Sequence, residues 1–234
     1  MSINRNISLP IILVLLYIFL IGCSESKKPI QEATGPLPIL GEKEEVDGVM
    51  NYHTVAPFTF VNQYGDSITE KTFSDKAYIV DYFFTSCPTI CPKVKEQELL
   101  IYDTFKGNNS VGLLSVSIDP KYDNVERLKW YADRLEIEKG NWHLATGDKD
   151  FIYDIADDFF HIAIEDSDAP GGFDHDGRLV LVDKNKHIRS FCNGLDEQDV
   201  QRFIGDIKNL LSENWPLYFF SWIGSLLVLS NTRI

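Results

Sequence analysis

The sequence predicts an α/β layer fold, a central sheet covered by helices, and three observations carry the prediction. Two apolar runs rich in β-branched and aromatic residues, "KAYIVDYFF" and "VGLLSVSID", have the length and composition of strands buried on both faces. Among and after them come stretches with helical spacing, "KVKEQELLIYDTF", "DNVERLKWYADRL" and "KDFIYDIADDFF". The chain then closes on a strand, turn and strand, "RLVLVDKNKHIRSF", followed by an amphipathic helix, "DEQDVQRFIGDIKNLL". Strands that alternate with helices before a final hairpin build a sheet with helices layered on it.

Each element has a local reason. "APFTFVNQYGDSIT" alternates apolar residues around a "QYGD" turn and reads as a short N-terminal hairpin extension. Pro92 suits the first turn of a helix, so the helix after the first long strand begins close to it. In "DNVERLKWYADRL", Asp123 precedes Glu126 by three residues, a capping-box spacing. Val125, Leu128, Trp130, Tyr131 and Leu135 are expected to gather mostly on one face of that helix. No internal repeat is visible.

A chain of 234 residues with 44% hydrophobic and 12% aromatic content suffices for one buried domain with terminal appendages. A formal net charge of -13 excludes a nucleic-acid binder, because nothing in the chain offsets a row of phosphates. Residues 1–22 read as an export signal: Arg5 precedes an apolar run from Ile7 to Ile21, short for a spanning helix. The run ends "LIGC", which resembles a lipoprotein signal in which Gly22 precedes the cysteine, Cys23, that takes the lipid. Bulky Ile21 leaves an uncleaved anchor as the alternative. Residues 23–51 mix charge, Pro and Gly without a period and read as a flexible tether, ahead of a domain over 52–213. Residues 214–234 hold an apolar run from Trp215 to Leu229, also short for a span, to which the sequence assigns no role. Export places the domain outside the cytoplasm, on the periplasmic side of the bacterial membrane that holds the lipid.

Chemistry concentrates in "YFFTSCPTICPKV", where Cys87 and Cys91 flank three residues directly after an apolar strand. A strand ending at Phe84, a short loop and a helix bring at least one thiol to the unpaired N–H groups and positive end of the helix dipole. Such a setting favours thiolate and lowers a cysteine pKa. Disulfide exchange and metal binding both use that thiolate. With the intervening residues helical, the two sulfurs stand one turn apart on one side, close enough to chelate a single ion. A structural disulfide remains an option, although closing so small a loop gains little unfolded-chain entropy. Cys192, in "HIRSFCNG", reads as a small buried apolar residue.

A third donor decides between redox and metal chemistry. Of the five histidines, His53, His143, His161 and His187 read as surface or hydrogen-bonded core residues. His175 differs in context, since it stands in the Gly-rich loop "SDAPGGFDHDGRLVLVD" that feeds a strand, where binding groups collect. Asp174 beside it either orients the ring or solvates the loop.

On these segments the chain resembles the Sco/SenC family of thioredoxin-like copper chaperones, from about Tyr52 to Leu211. The resemblance rests on "FFTSCPTICP", "SIDPKYDNVERLKWYADRL", "NWHLATGD" and "DHDGRLVLVD", with a three-residue spacer between the cysteines and a histidine 84 positions after Cys91. It implies a thioredoxin-like fold, Cys87 and Cys91 as paired thiol ligands, and His175 completing a Cys-Cys-His copper site. The sequence departs at Asp176, where the family usually has serine, and in the longer approach "EDSDAPGGFD". Two soft thiolates and an imidazole suit Cu(I) or Cu(II), whereas structural zinc wants a fourth protein ligand. What the resemblance implies is a membrane-tethered copper carrier, rather than an enzyme, that serves the dinuclear CuA centre in a subunit of cytochrome c oxidase. Its alternative is a thiol–disulfide oxidoreductase in which Cys87 and Cys91 are a redox-active pair that keeps a partner's cysteines reduced.

Overall fold

The computed structural model describes residues 35–166 and 168–213, the side chains of residues 163, 164, 174 and 175 excepted. The readings of residues 1–22, of Cys23 and of residues 214–234 lie outside the described residues.

The core is a seven-stranded sheet made of β3 (Thr59–Asn62), β4 (Ser67–Thr69), β5 (Ala77–Phe83), β6 (Val111–Ser117), β7 (Trp142–Thr146), β10 (Arg178–Val182) and β11 (Ile188–Asn193). Their spatial order is β11-β10-β5-β6-β7-β3-β4. Two antiparallel hairpins stand apart from it, β1 (Lys43–Val46) with β2 (Val49–Tyr52), and β8 (Ala163–Glu165) with β9 (Phe173–His175). The helices are α1 (Cys91–Thr104), α2 (Val125–Arg134), α3 (Lys149–Ala156) and α4 (Glu197–Glu213).

β5 and β6 are buried at every position, which is why both lack a polar face in the sequence. They pair in parallel with each other, as do β6 and β7. Parallel neighbours need crossover connections, and α1 and α2 supply them. β10 then returns antiparallel along the other side of β5, with Val180 opposite Val80 and Val182 opposite Tyr78.

The hairpin read in "APFTFVNQYGDSIT" is β3 and β4, and its turn is held by Asn62, whose Oδ1 accepts from the N–H groups of Tyr64 and Asp66, both at 2.9 Å. It extends the main sheet at one edge, because β3 pairs with β7. Gln63 fastens that junction, donating to Trp142 O at 3.0 Å and accepting from Leu144 N at 2.9 Å.

Other expectations need correction. The cap of α2 is Asn124, whose Oδ1 accepts from Arg127 N at 2.9 Å, and Asp123 is fully buried and used elsewhere. Leu128 and Ala132 form the inner face of α2, while Trp130 is 45% exposed and lies between the guanidinium groups of Arg127 and Arg134, at 4.0 and 5.0 Å. Order also begins before Tyr52. Leu37 is buried, and Arg189 binds the carbonyls of Leu37 and Pro38, so this end of the predicted tether is fastened to the domain ahead of the β1–β2 hairpin.

Among the other histidines, His53 donates to Asp158 O at 2.9 Å, and the His187 ring lies 3.5 Å from the Asp183 carboxylate. His143, on β7, accepts from Asn62 Nδ2 at 3.2 Å with its ring edge against Phe73. Burial lowers its pKa from 6.5 to about 4, with the charge of Lys76 adding to the effect. The unfolded chain therefore takes up a proton at this ring at a higher pH than the folded one. Its stabilising contribution is complete above 6.5 and disappears as the pH falls toward about 4. Urea midpoints measured between pH 7 and 4 should decline, and the decline should be shallower in His143→Gln; equal slopes in the two proteins would contradict this assignment.

Candidate thiol and metal site

The site forms where β5 runs out. Phe84 is fully buried, the chain turns, and Cys87 N donates to Phe84 O at 3.2 Å. α1 starts at Cys91, with Ile90 as a cap that makes no side-chain hydrogen bond and Pro92 in the first turn. Residues 88–90 are thus loop and not helix, so a turn of helix does not set the cysteine spacing. The loop curls back instead, and the Cys91 thiol hydrogen-bonds Cys87. Cys87 and Cys91 are 8% and 3% exposed and are not joined in a disulfide. Cys87 Sγ also lies 3.6 Å from Thr89 Oγ1.

The expectation of a lowered thiol pKa fails at Cys91. Its hydrogen bond with Cys87 and its burial push the thiol far above the ordinary range, against the lowering influence of a backbone hydrogen bond at Phe84 and of the Lys95 charge. Position at a helix start favours thiolate only where solvent or a counter-charge reaches the sulfur, and here neighbouring sulfur and apolar packing dominate. Cys192, on β11, is buried and its thiol is likewise raised, chiefly by burial, in keeping with an apolar role.

Two buried polar groups brace the loop and first turn. Asp123 accepts from Thr85 N at 2.9 Å, Thr85 Oγ1 at 2.5 Å and Ser117 Oγ at 2.6 Å, and Arg127 Nε donates to Thr85 Oγ1 at 2.9 Å. One carboxylate thereby ties the residues before Cys87 to β6 and α2. One turn beyond Cys91, Lys95 is 1% exposed, with Nζ 2.7 Å from Asp81 Oδ2, 2.8 Å from Ser115 Oγ and 2.6 Å from Glu98 Oε2. The ammonium also sits 4.2 Å from the centre of the Phe83 ring. Burial alone would lower the Lys95 pKa, but the Asp81 and Glu98 charges outweigh it and raise it. Burial, then the Asp81 charge, pushes Glu98 well above the usual carboxylate range, against the lowering influence of Lys95.

His175 ends β9, where it pairs with Ala163. The residues around it are fastened to the thiol loop. Phe173 lies against Phe84, with ring centres 5.0 Å apart. Gly171, at φ +84°, passes so close that a Cβ there would stand 2.8 Å from Phe84 and 3.2 Å from Pro88, which only glycine allows. On the other side of His175, Asp176 and Arg178 line a cleft with Cys91, Val94 and Lys95. Gly194 N donates to Gly177 O at 2.8 Å, and a Cβ at Gly194 would meet that oxygen at 2.7 Å.

Sequence reading missed His161 as part of this assembly. Its ring is 1% exposed and bridges the loop to the sheet, with Nδ1 3.1 Å from Asp176 Oδ1 and Nε2 3.3 Å from Val80 O. Asp176 Oδ1 also accepts from Arg178 N at 3.2 Å. Burial would raise the Asp176 pKa, but the hydrogen bond and charge of His161, with Arg178, bring it below the usual carboxylate range. Asp176 is therefore built into the fold, held by His161 and Arg178. Among the described side chains no group of three His, Cys, Asp or Glu residues is placed to hold a metal.

A parallel core extended by antiparallel strands, with paired thiols at the junction of strand and helix, defines a thioredoxin-like dithiol protein. The family model SCO1/SenC matches residues 47–212, and the chain belongs to that family. It is similar to a SCO1/SenC family lipoprotein from Bacillus anthracis str. Ames, at 26% identity over 68% of this chain and 95% of the other, with a TM-score of 0.62. BsSco, described as a member of the Sco family of cytochrome c oxidase assembly proteins with a disulfide switch, matches at 27% identity over 68% and 93% of the two chains, TM-score 0.60. The structure of Arabidopsis thaliana ScoI with copper bound shares the fold, at 22% identity over 68% and 99%, TM-score 0.57.

The charged trio gives a stability prediction. Lys95→Met leaves two acids buried without their cation and should cost about 3 kcal/mol or more, as loss of one partner of a buried ion pair does. Replacing Asp81, Lys95 and Glu98 together by Leu, Met and Met should recover most of that loss in urea unfolding. A single Lys95→Met variant as stable as the parent would show that the trio carries no such charge.

Proposed function

We propose that the chain carries one copper ion on Cys87, Cys91 and His175 and delivers it to the CuA centre during cytochrome c oxidase assembly, while lipid on Cys23 tethers it to the outer side of a bacterial membrane. The observation that carries this reading is the fastening of the β9 loop to the thiol loop on both sides of His175, through Gly171 and Phe173 before it and Asp176 after it. Family membership and the copper held by the Arabidopsis relative support the choice of ion, and soft sulfur donors favour Cu(I) in particular. The "LIGC" sequence and the relative described as a lipoprotein support the tether, and among the described residues no helix is long and apolar enough to cross a membrane.

Loading follows from the thiol chemistry. The Cys91 thiol gives up its proton when an ion replaces its hydrogen bond with Cys87, so copper uptake releases a proton and strengthens as the pH rises. Two sulfurs and one imidazole leave a coordination position open to an incoming ligand, so the ion passes to an acceptor by ligand exchange. The buried Lys95 trio and the Asp123 network keep the sulfurs in place through that exchange.

The second reading, a thiol–disulfide oxidoreductase, draws on the reduced, hydrogen-bonded pair and on the disulfide switch described for BsSco. In that step two thiols become a disulfide and pass two electrons and two protons to a partner disulfide, which becomes two thiols. His175 separates the readings. Competition titration with a Cu(I) chelator should show His175→Ala weakened by about tenfold or more, about 1.4 kcal/mol, while the redox potential of the cysteine pair stays near that of the parent. Unchanged copper affinity in that variant would leave the dithiol reading alone.

A further inference from the structure

The outer face of α2 carries a ladder of aromatic rings and guanidinium groups next to the thiol loop. Tyr122, 51% exposed, and Trp130, 45% exposed, both lie against Arg127, whose guanidinium is 5.0 Å from the first ring and 4.0 Å from the second. Arg134 also lies against Trp130, at 5.0 Å. Arg127 Nε donates to Thr85 Oγ1 at 2.9 Å, two residues before Cys87, so one end of the ladder is joined to the loop that holds this sulfur. At about 100° per residue, Arg127, Tyr131 and Arg134 share one flank of the helix. The Tyr131 ring lies 5.7 Å from the Phe83 ring, so this flank turns toward the end of β5 from which the thiol loop departs.

Charge marks what the ladder recognises. Among the described residues Arg178, Arg189 and Arg202 are ion-paired with carboxylates, while Arg127 and Arg134 pair with none, in a chain of net charge -13. The acids of the same helix stand on its other flank: Glu126 and Asp133 each precede an arginine by one residue, about 100° round the axis, and Asp133 is taken up by Lys129. Asp119 accepts from Tyr122 N at 3.3 Å, and the exposed Glu96 and Asp103 of α1 pair with neither arginine. A guanidinium stacked on a ring keeps its N–H edge free and its fork oriented, which reduces the entropy lost when it binds a carboxylate. Trp, Tyr and Arg are also the side chains that carry most of the energy at protein interfaces. We infer that this ladder is the docking surface for the protein that exchanges with the thiols, and that it grips an acidic segment of that partner. Carboxylates about 10 Å apart face Arg127 and Arg134, seven residues of helix from one another, and an apolar side chain rests on Trp130. The inference deepens the reading of Cys87 and Cys91 as an exchange site and rests on it for the kind of partner.

The test uses the full chain, purified in detergent, with the soluble CuA-bearing domain of a cytochrome c oxidase subunit, free of metal, as the probe. Trp130→Ala and Arg134→Gln are compared with the parent and with Asp133→Asn on the other flank, and thermal melts establish that each is folded. Isothermal titration should show binding of the probe weakened by about tenfold or more in Trp130→Ala and in Arg134→Gln, and not weakened in Asp133→Asn. Arg134→Gln should also flatten the dependence of binding on salt. Copper affinity, from chelator competition, should stay at the parent's value in both. Binding as tight in both variants as in the parent, or no binding of the probe to the parent, would overturn the inference. If the probe binds as expected but takes no copper from the loaded parent, the docking surface stands and the delivery reading falls. If copper passes to the probe at the parent's rate in both variants, delivery stands and the docking surface falls.

Discussion

The antiparallel pairing of β10 with β5 is the constraint on which the site depends. Val180 opposite Val80 sets the direction in which the preceding loop arrives, and that direction brings residues 171–178 to the end of β5 from which the thiol loop departs. A slip of one residue would turn every β10 side chain to the other face of the sheet. His161 reinforces the pairing from below, since a single ring touches both Val80 O and Asp176. Residues on both sides of a histidine 84 positions from Cys91 thus come beside the thiol loop through sheet register, with two glycines permitting the close passage.

Polar groups beneath the sulfurs give the site its stiffness. Asp123 gathers three hydrogen bonds from Thr85 and Ser117, and Lys95 joins Asp81, Ser115 and Glu98 in an apolar layer closed by Phe83 and Trp142. Such buried groups are tolerated only when satisfied together, so the loop carrying Cys87 and the helix starting at Cys91 have one well-defined arrangement. The Cys91 thiol is held toward its protonated form by its hydrogen bond with Cys87 and by burial. Thiolate is the form that binds metal and undergoes oxidation, so an ion that binds this sulfur must displace its proton.

Strands were legible in the sequence because burial on both faces leaves an apolar signature, as in "YIVDYFF" and "VGLLSVS". The helices were legible from their period, and the cysteine pair from its spacing. Loop detail was not. Whether residues 88–90 coil or turn depends on Phe84 and Cys87 meeting across the loop, and Asn124 rather than Asp123 became the α2 cap because Asp123 was drawn into the interior by Thr85 and Ser117. The burial of Lys95 and Glu98 leaves no local mark in the sequence, since nothing near them announces that Asp81 lies opposite on β5. His161 looked ordinary for the same reason: its two partners are 81 residues before it and 15 after. Pairwise polar contacts across the sheet leave no periodic trace in one chain.

The central claim is that copper on this protein is held by two sulfurs and one imidazole. X-ray absorption spectroscopy of the purified chain, reduced and loaded with one equivalent of Cu(I), measures that donor set directly. The account predicts two sulfur scatterers at a single distance together with the outer-ring scattering of one imidazole, the latter absent after His175→Ala. A copper spectrum with sulfur alone, unchanged by that substitution, would contradict it.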